Sequence, residues 1–329
     1  MAESSKKSEP AQAARRVLVV EDSATMAATV RLYLESSGLF EVGVAGSVTE
    51  ARTHISRFGE PECILLDLTL PDAEQLTGLK IFRGLVPKVA IVVLTGRDEE
   101  ELAIGALRAG AQDFLNKGSV NASEIVRAVR YSIERKKSDA VIIHQAFHDS
   151  LTDLPGRAYA LNAINTALDL SARPPGSKVP LMYFDLDGFK QVNDEYGHHA
   201  GDVVLQVTAK RVSAVVRPAD VVARMGGDEF LFLSAQDLPE SVLAEVAQRI
   251  ISAICTPTMI DGSEIQVGAS IGITVSEEGE DAQSLIDRAD RVMYLAKKVG
   301  GNRYVFDTSG QVESPVGIEA PIRIEASNQ

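Results

Sequence analysis

Two stretches decide how the chain is read: LMYFDLD at residues 181–187 and RMGGDEF at residues 224–230. The first is apolar until its end, where Asp185 and Asp187 share a face at the two-residue period of a strand. The second sets two glycines between strand-like runs, a tight-hairpin signal, and Asp228 and Glu229 follow at once. If the hairpin lies beside the first strand, Asp185 and Asp228 converge. Two carboxylates meeting at a sheet edge suit Mg²⁺, which keeps positions open for phosphate oxygens. Gly226 and Gly227 permit the turn and let a nucleotide come close to the backbone. Taken alone, Gly-Gly with acidic neighbours is also an ordinary solvated turn.

Outward from this centre, the second half reads as a domain over residues 149–307. Helices are expected at 202–216 and 282–298, a hairpin at 221–232, and strands at 265–275 and 303–306. Irregular alternation with a hairpin predicts an α+β fold with a mostly antiparallel sheet. Residues 171–180 form a polar loop, and the tail at 308–329 lacks periodicity and is expected to be disordered.

The first half alternates short apolar strands with helical periods, the pattern of an α/β doubly wound domain with a five-stranded parallel sheet over residues 15–135. Strands are expected at 17–20, 40–45, 63–66, 90–94 and 113–115, with helices including 24–36 and 99–109. Glu21 and Asp22 follow the first strand, Asp67 the third (ILLDLTLPD), Thr95 the fourth (VVLTG) and Lys117 the fifth (FLNKG). Ligands gather at the carboxyl ends of such strands. Three carboxylates there repel one another unless a hard cation joins them. A carboxylate attacking phosphorus needs that metal, with a hydroxyl and an ammonium to take up charge.

Between the halves, Val126, Val129, Ile133, Ala140, Ile143 and Phe147 alternate three and four apart, with Lys136 breaking the seam. The first part of this helix packs on its own sheet. The second half runs beyond the domain, through ERKKSD at 134–139, and as a linker over residues 136–148 is expected to pair with a second copy as a parallel coiled coil.

The net charge of −13 argues against a nucleic-acid coat, and with no basic recognition helix it excludes a DNA-binding regulator. No apolar run reaches the roughly 20 residues that span a bilayer. Residues 1–14 are polar, without a secretory core, and are expected to be disordered. Cys63 and Cys255 have neither disulfide nor metal spacing and read as reduced residues of a cytoplasmic protein.

The first half resembles the receiver domains of two-component response regulators. The resemblance implies that Asp67 accepts the phosphoryl group and holds Mg²⁺ with Glu21 and Asp22. Thr95 and Lys117 would contact the phosphoryl group, and Phe114 would be the aromatic that changes rotamer on activation. Two departures are visible: the loop DAEQLTG at 72–78 is slightly long, and Gly118 stands where a cis-proline is common.

The second half resembles the GGDEF domains of diguanylate cyclases, through SLTDLPGR at 150–157, FDLDGFKQVNDEYGHHAGD at 184–202, RMGGDEF and MYLAKKVGGN at 293–302. This implies condensation of two GTP to cyclic di-GMP with release of two pyrophosphates. By position, Asp185, Asp228 and the Leu186 carbonyl would hold Mg²⁺, with Mn²⁺ as the alternative ion. Asn193 and Asp202 would read guanine, with His198 nearby. Lys190 and Lys297 would neutralise the triphosphate, and Asp228 or Glu229 would be the base. Arg217 and Asp220, in RPAD, match the family's product-inhibition pattern. Gly301 stands where the family usually has an Arg, so one phosphate contact is missing unless Arg303 or Lys298 substitutes, and weaker GTP binding rather than lost activity is expected. The partners implied are GTP, cyclic di-GMP, a histidine kinase or phosphotransfer protein, and a second copy of the chain on activation. The rival reading is a non-catalytic effector that binds GTP or cyclic di-GMP and signals by docking.

Overall fold

The computed structural model describes residues 14–96, 99–169 and 176–307. Residues 1–13 and 308–329 of the expected disordered ends, and residues 171–175 of the 171–180 loop, fall outside the described residues. The chain divides into two compact units between Ile143 and His144.

In the first unit, β1 (Arg15–Val20), α1 (Ala24–Glu35), β2 (Phe40–Ala45), α2 (Val48–Phe58) and β3 (Cys63–Asp67) alternate. The small hairpin of β4 (Thr69–Leu70) and β5 (Ala73–Glu74) follows, then α3 (Thr77–Leu85), β6 (Ala90–Thr95), α4 (Glu100–Arg108) and β7 (Asp113–Asn116). The hairpin accounts for the extra length after Pro71. The sheet is parallel in the order β2-β1-β3-β6-β7. Alternation along each strand divides the core in two. Leu18, Val20, Ile64, Leu66, Ile91 and Val93 face Ile55, Leu79 and Phe82 on one side. Val17, Val19, Leu65 and Val92 face Val30, Leu34, Val129 and Ile133 on the other. With both faces covered, the central strands carry almost no polar residue until their carboxyl ends.

The helix α5 (Ala122–Phe147) runs across the division between the units. Ile125, Val129 and Ile133 are buried in the first unit. Beyond them the stripe is bare: Ala140 is exposed, Ile143 is 59% exposed and Phe147 36%. Phe147 turns its ring edge toward Tyr159 of α6 (Arg157–Leu168), a helix the sequence reading did not predict.

The second unit continues with β8 (Pro180–Asp187), α7 (Phe189–Val215), β9 (Val221–Gly226), β10 (Glu229–Leu233) and α8 (Glu240–Ile254). It ends with β11 (Thr258–Ile260), β12 (Ser263–Ile265), β13 (Gly268–Val275), α9 (Ala282–Lys298) and β14 (Arg303–Phe306). The sheet order is β14-β13-β8-β10-β9, antiparallel throughout except for β13 with β14. Two expectations are corrected. The strand expected at 265–275 is split, because 258–265 folds back as its own hairpin around Asp261 and Gly262. The helix expected from residue 202 begins just after Gly197 and is preceded by a further helical segment from Phe189, the two joined across a break at Gly197, where φ is +81°. One sheet face packs on α7 and α8, with Phe184 and Phe230 stacked 5.6 Å apart. The other, carrying Leu181, Tyr183 and Leu231, packs on α6 and α9.

Candidate functional site

The first cluster forms at the carboxyl ends of β1 and β3. One carboxylate oxygen each from Glu21, Asp22 and Asp67 lies within 4.8 Å of the others. Lys117, just past β7, places its Nζ 2.8 Å from both Glu21 and Asp67. Burial raises the Glu21 carboxyl above its ordinary range, and the hydrogen bond from Lys117 opposes that shift. Burial works against the Lys117 ammonium, but its bonds to Asp67 and Glu21 leave its pKa raised. Thr95 is buried and donates to the Leu115 carbonyl at 3.4 Å. Phe114 is exposed. Thr69, which the sequence reading missed, donates from its hydroxyl to both Asp67 oxygens at 3.1 Å. The departure at Gly118 does not free Lys117, which is held by both ion pairs and by its N–H to the Thr95 carbonyl at 2.9 Å. Three carboxylates face one ammonium, and such an oxygen donor set fits a hard dication.

The second cluster forms where β8 meets the β9–β10 turn. Asp185 pairs in register with Glu229, and the Leu186 N–H donates to the Asp228 carbonyl at 3.3 Å. The turn requires its glycines: Gly226 and Gly227 have φ of +146° and +53°. From the end of α9, Lys297 Nζ reaches Asp185 Oδ1 at 2.7 Å. Burial, with the charge of Asp228 adding, pushes the Asp185 carboxyl from 3.8 up to about 6 against the hydrogen bond from Lys297. The donors present fit Mg²⁺: two carboxylates and a main-chain oxygen, with charge that one ammonium does not balance.

That shift has a measurable sign. Folding disfavours ionised Asp185, so in metal-free protein its cost is absent where both states are protonated. It grows as pH rises from 3.8 to about 6 and is full above that. Asp185→Asn is expected to raise the thermal unfolding midpoint of chelator-treated protein at about pH 8, the gain shrinking toward about pH 5. Equal midpoints at both pH values would show that Lys297 already neutralises the carboxylate.

Three links around this cluster were not legible in the sequence. The Tyr183 hydroxyl donates to Glu229 Oε2 at 2.8 Å, and burial together with Glu229 raises the Tyr183 pKa, keeping it a donor. Arg224 holds Asp149 Oδ1 at 2.8 Å and donates from Nε and a terminal nitrogen to the Gly227 carbonyl, at 3.0 and 2.7 Å. Asp187 shares the face of Asp185 but is already engaged. It accepts from Ser270 Oγ at 2.9 Å and from the Asn302 N–H at 2.7 Å.

The loop beside Asp187 accounts for Gly301. Its φ is +67°, and a Cβ there would stand 3.0 Å from Asp187 Oδ2. Arg303 donates to the Gly301 carbonyl at 2.9 Å, whereas Lys298 sits 4.7 Å over the Tyr294 ring. Of the two residues named as stand-ins, Arg303, the first residue of β14, is therefore the one that reaches the loop. Asn193 is half-buried against Gly201, so close that a Cβ on Gly201 would meet Asn193 Oδ1 at 2.0 Å, which puts Asn193 beside the residue preceding Asp202. Asp202, His198 and Lys190 are exposed.

Arg217 and Asp220 lie apart from these links, at the start of β9. Asp220 accepts from the Arg217 and Ala235 N–H groups at 3.2 and 3.0 Å, and Arg217 donates to Gln236 Oε1 at 3.2 Å. A groove of about 420 Å³ adjoins them, lined by Ala219, Ser234, Ala235 and, from α6, Tyr159 and Thr166.

With this geometry in view, comparison with known proteins gives the class. Residues 17–130 match the response regulator receiver domain, and residues 146–303 match the diguanylate cyclase, GGDEF domain. The chain belongs to the GGDEF family and carries a response-regulator receiver domain ahead of its GGDEF domain. It is 28% identical over 309 residues to the response regulator PleD of Caulobacter vibrioides, covering 88% of this chain and 65% of that one. It is 33% identical over 224 residues to the diguanylate cyclase TpbB of Pseudomonas aeruginosa, covering 67% and 51%. The chain thus spans between 21% and 65% of the length of these and other curated relatives. A solved structure of the coiled coil and GGDEF domain of DgcB from Caulobacter crescentus, in complex with c-di-GMP, shares the fold. Its TM-score is 0.52 at 24% identity, covering 56% of this chain and 97% of that one. No helix among the described residues is long and apolar enough to cross a membrane.

Proposed function

We propose that this chain is a diguanylate cyclase switched on by phosphorylation of Asp67. The observation that carries the catalytic reading is the pairing of Asp185 with Glu229 beside the Asp228 turn, with Lys297 closing on it. Asp185, Asp228 and the Leu186 carbonyl would hold Mg²⁺, or Mn²⁺ in its place. That ion supplies Lewis acidity at the α-phosphate and offsets phosphate charge.

The protein's own groups do the rest. Asn193 and Asp202 offer an acceptor and donor set suited to guanine, whose N1–H and amino group donate. His198 lies on the same helix as a further contact. Lys190 and Lys297 oppose the triphosphate charge, and Gly226 and Gly227 leave the backbone open to it. Asp228 or Glu229 takes the proton from the 3′-hydroxyl of one GTP. That oxygen then forms its bond to the α-phosphorus of the other as pyrophosphate leaves, and the exchange repeats in the opposite sense. Tyr183 fixes the Glu229 rotamer, and Arg224 braces the turn on which Asp228 sits.

Each domain presents one nucleotide, so two copies must face one another. The exposed Ala140, Ile143 and Phe147 of that stripe support pairing through α5. Phosphorylation would replace the Lys117–Asp67 contact with a phosphoryl group held by Thr95 and Lys117, and Phe114 would move inward. A histidine kinase or phosphotransfer protein is the phosphodonor class.

Gly301 favours the second reading, a domain that binds nucleotide without turning it over. Incubating the protein with GTP and Mg²⁺, with and without acetyl phosphate, and separating the nucleotides decides between them. Cyclic di-GMP is expected, and bound but unchanged GTP would establish the effector.

Arg217 and Asp220 serve, on this reading, as a product-inhibition site. The Arg fork suits guanine O6 and N7, and Asp220 suits guanine N1–H. Arg217→Ala is expected to raise the cyclic di-GMP concentration that halves the rate by about tenfold or more, since hydrogen bonds to charged groups contribute about 1.5–3 kcal/mol. An unchanged inhibition curve would remove this pair from the mechanism.

A further inference from the structure

The last turn of α5 and the segment after it bring together three side chains used in no step above. His144 and His148 are four residues apart, so they leave the helix on one face, and their rings stack with centroids 3.9 Å apart. Asp153, held at a φ of +61°, turns back toward them. Its Oδ1 lies 2.7 Å from His144 Nε2, and its main-chain carbonyl lies 2.9 Å from His148 Nδ1. One ring nitrogen from each histidine and one Asp153 carboxylate oxygen all fall within 4.8 Å of one another.

We propose that His144, His148 and Asp153 form a second metal site, selective for a borderline dication of the Zn²⁺ type over Mg²⁺. The donor set decides the class: two imidazoles and one carboxylate match the nitrogen-rich preference of Zn²⁺, whereas Mg²⁺ takes oxygen. The surroundings fit as well. With Nδ1–H of His148 donating to the Asp153 carbonyl, the Nε2 lone pair is left for an ion, the arrangement in which ligating histidines are commonly held. An exposed His144–Asp153 ion pair would explain two of the residues but not the second imidazole stacked on the first. His144 and Asp153 are open to solvent and His148 is half-buried, so an ion enters without disturbing the core.

An ion here would close a chelate from residue 144 to residue 153 that encloses Asp149. The Asp149 carboxylate holds Arg224, which in turn grips the Gly227 carbonyl. The site therefore stiffens the anchor of the GGDEF turn. Only this last link depends on the proposed cyclase activity; the binding itself does not.

The test is calorimetric titration of Zn²⁺ into the chelator-stripped full chain with Mg²⁺ already saturating, so that the oxygen-donor sites are filled. One Zn²⁺ per chain is expected for wild type and for Asp228→Ala. His144→Gln and Asp153→Gly should each bind at least about tenfold more weakly. Glycine accepts the positive φ at 153, so that variant loses the donor without backbone strain. Thermal unfolding in chelator should match wild type for both variants, while added Zn²⁺ raises the midpoint of wild type alone. No Zn²⁺ binding by wild type in Mg²⁺, or wild-type Zn²⁺ affinity retained in His144→Gln and Asp153→Gly, would overturn the proposal.

Discussion

Replacing Asp228 by alanine is expected to lower cyclic di-GMP formation by about 100- to 1000-fold, the range seen when one preorganised group is removed from a charged transition state. The geometry explains why so short a side chain should matter. Asp228 follows a turn that Arg224 fixes through the Gly227 carbonyl, and its charge acts on the Asp185 carboxyl. Removing it halves the carboxylate charge offered to the ion and deletes one of the two candidate bases. Lys297 would then face Asp185 alone, and that pair would close into an inert contact. The measurement is nucleotide separation after incubation with GTP and Mg²⁺, alongside GTP binding and thermal unfolding. Near-normal turnover in a folded Asp228→Ala protein would eliminate the two-carboxylate site as the source of activity. Lost turnover with unchanged GTP affinity would assign Asp228 to the reacting phosphate rather than to substrate capture.

The second large effect concerns control. In Asp67→Asn, acetyl phosphate is expected to leave both the cyclase rate and the oligomeric state unchanged, while wild type rises by about tenfold or more as pairing raises the local concentration of one domain for the other. Thr69 holds both Asp67 oxygens and Lys117 pairs with one of them, an arrangement that on the proposed reading would orient the carboxylate for attack and let Lys117 follow charge onto the phosphoryl group. The amide keeps the shape but has no nucleophilic carboxylate. Removing a negative charge from a cluster of three also eases repulsion with Glu21, so the variant should fold at least as well as wild type. Sedimentation and turnover measured in parallel, with and without phosphodonor, check this. A phosphodonor response in Asp67→Asn equal to that of wild type would place control elsewhere.

The parts of the fold that could be read in advance are those written in local code. The helix over 282–298 was readable to the residue, because Asp281 caps it through the Ser284 N–H and Gly300 follows its end. The parallel strands were equally plain, since burial on both faces leaves an unbroken apolar run. The helix Glu240–Ile254 went unread although Leu243, Val246, Ala247, Ile250, Ile251 and Ile254 carry its period. The site divides the same way. Acidic residues at strand ends were visible, whereas the contacts that steer them were not. Asp149 and Arg224 are 75 residues apart, Asp187 and Ser270 83, and Tyr183 and Glu229 46. Such pairs are fixed by strand order and register, which no short window contains.

The brace from Asp149 through Arg224 to Gly227 carries an implication for how such chains are assembled. The segment around residues 148–156 is built into the GGDEF unit rather than being a tether, since Pro155 and Gly156 also pair with Arg224 and Phe147 through their main chains. Recombination that grafts a different sensory module onto this output is tolerable only when the splice falls upstream of that latch. A join placed inside it would leave the signature motif intact in sequence and unsupported in space.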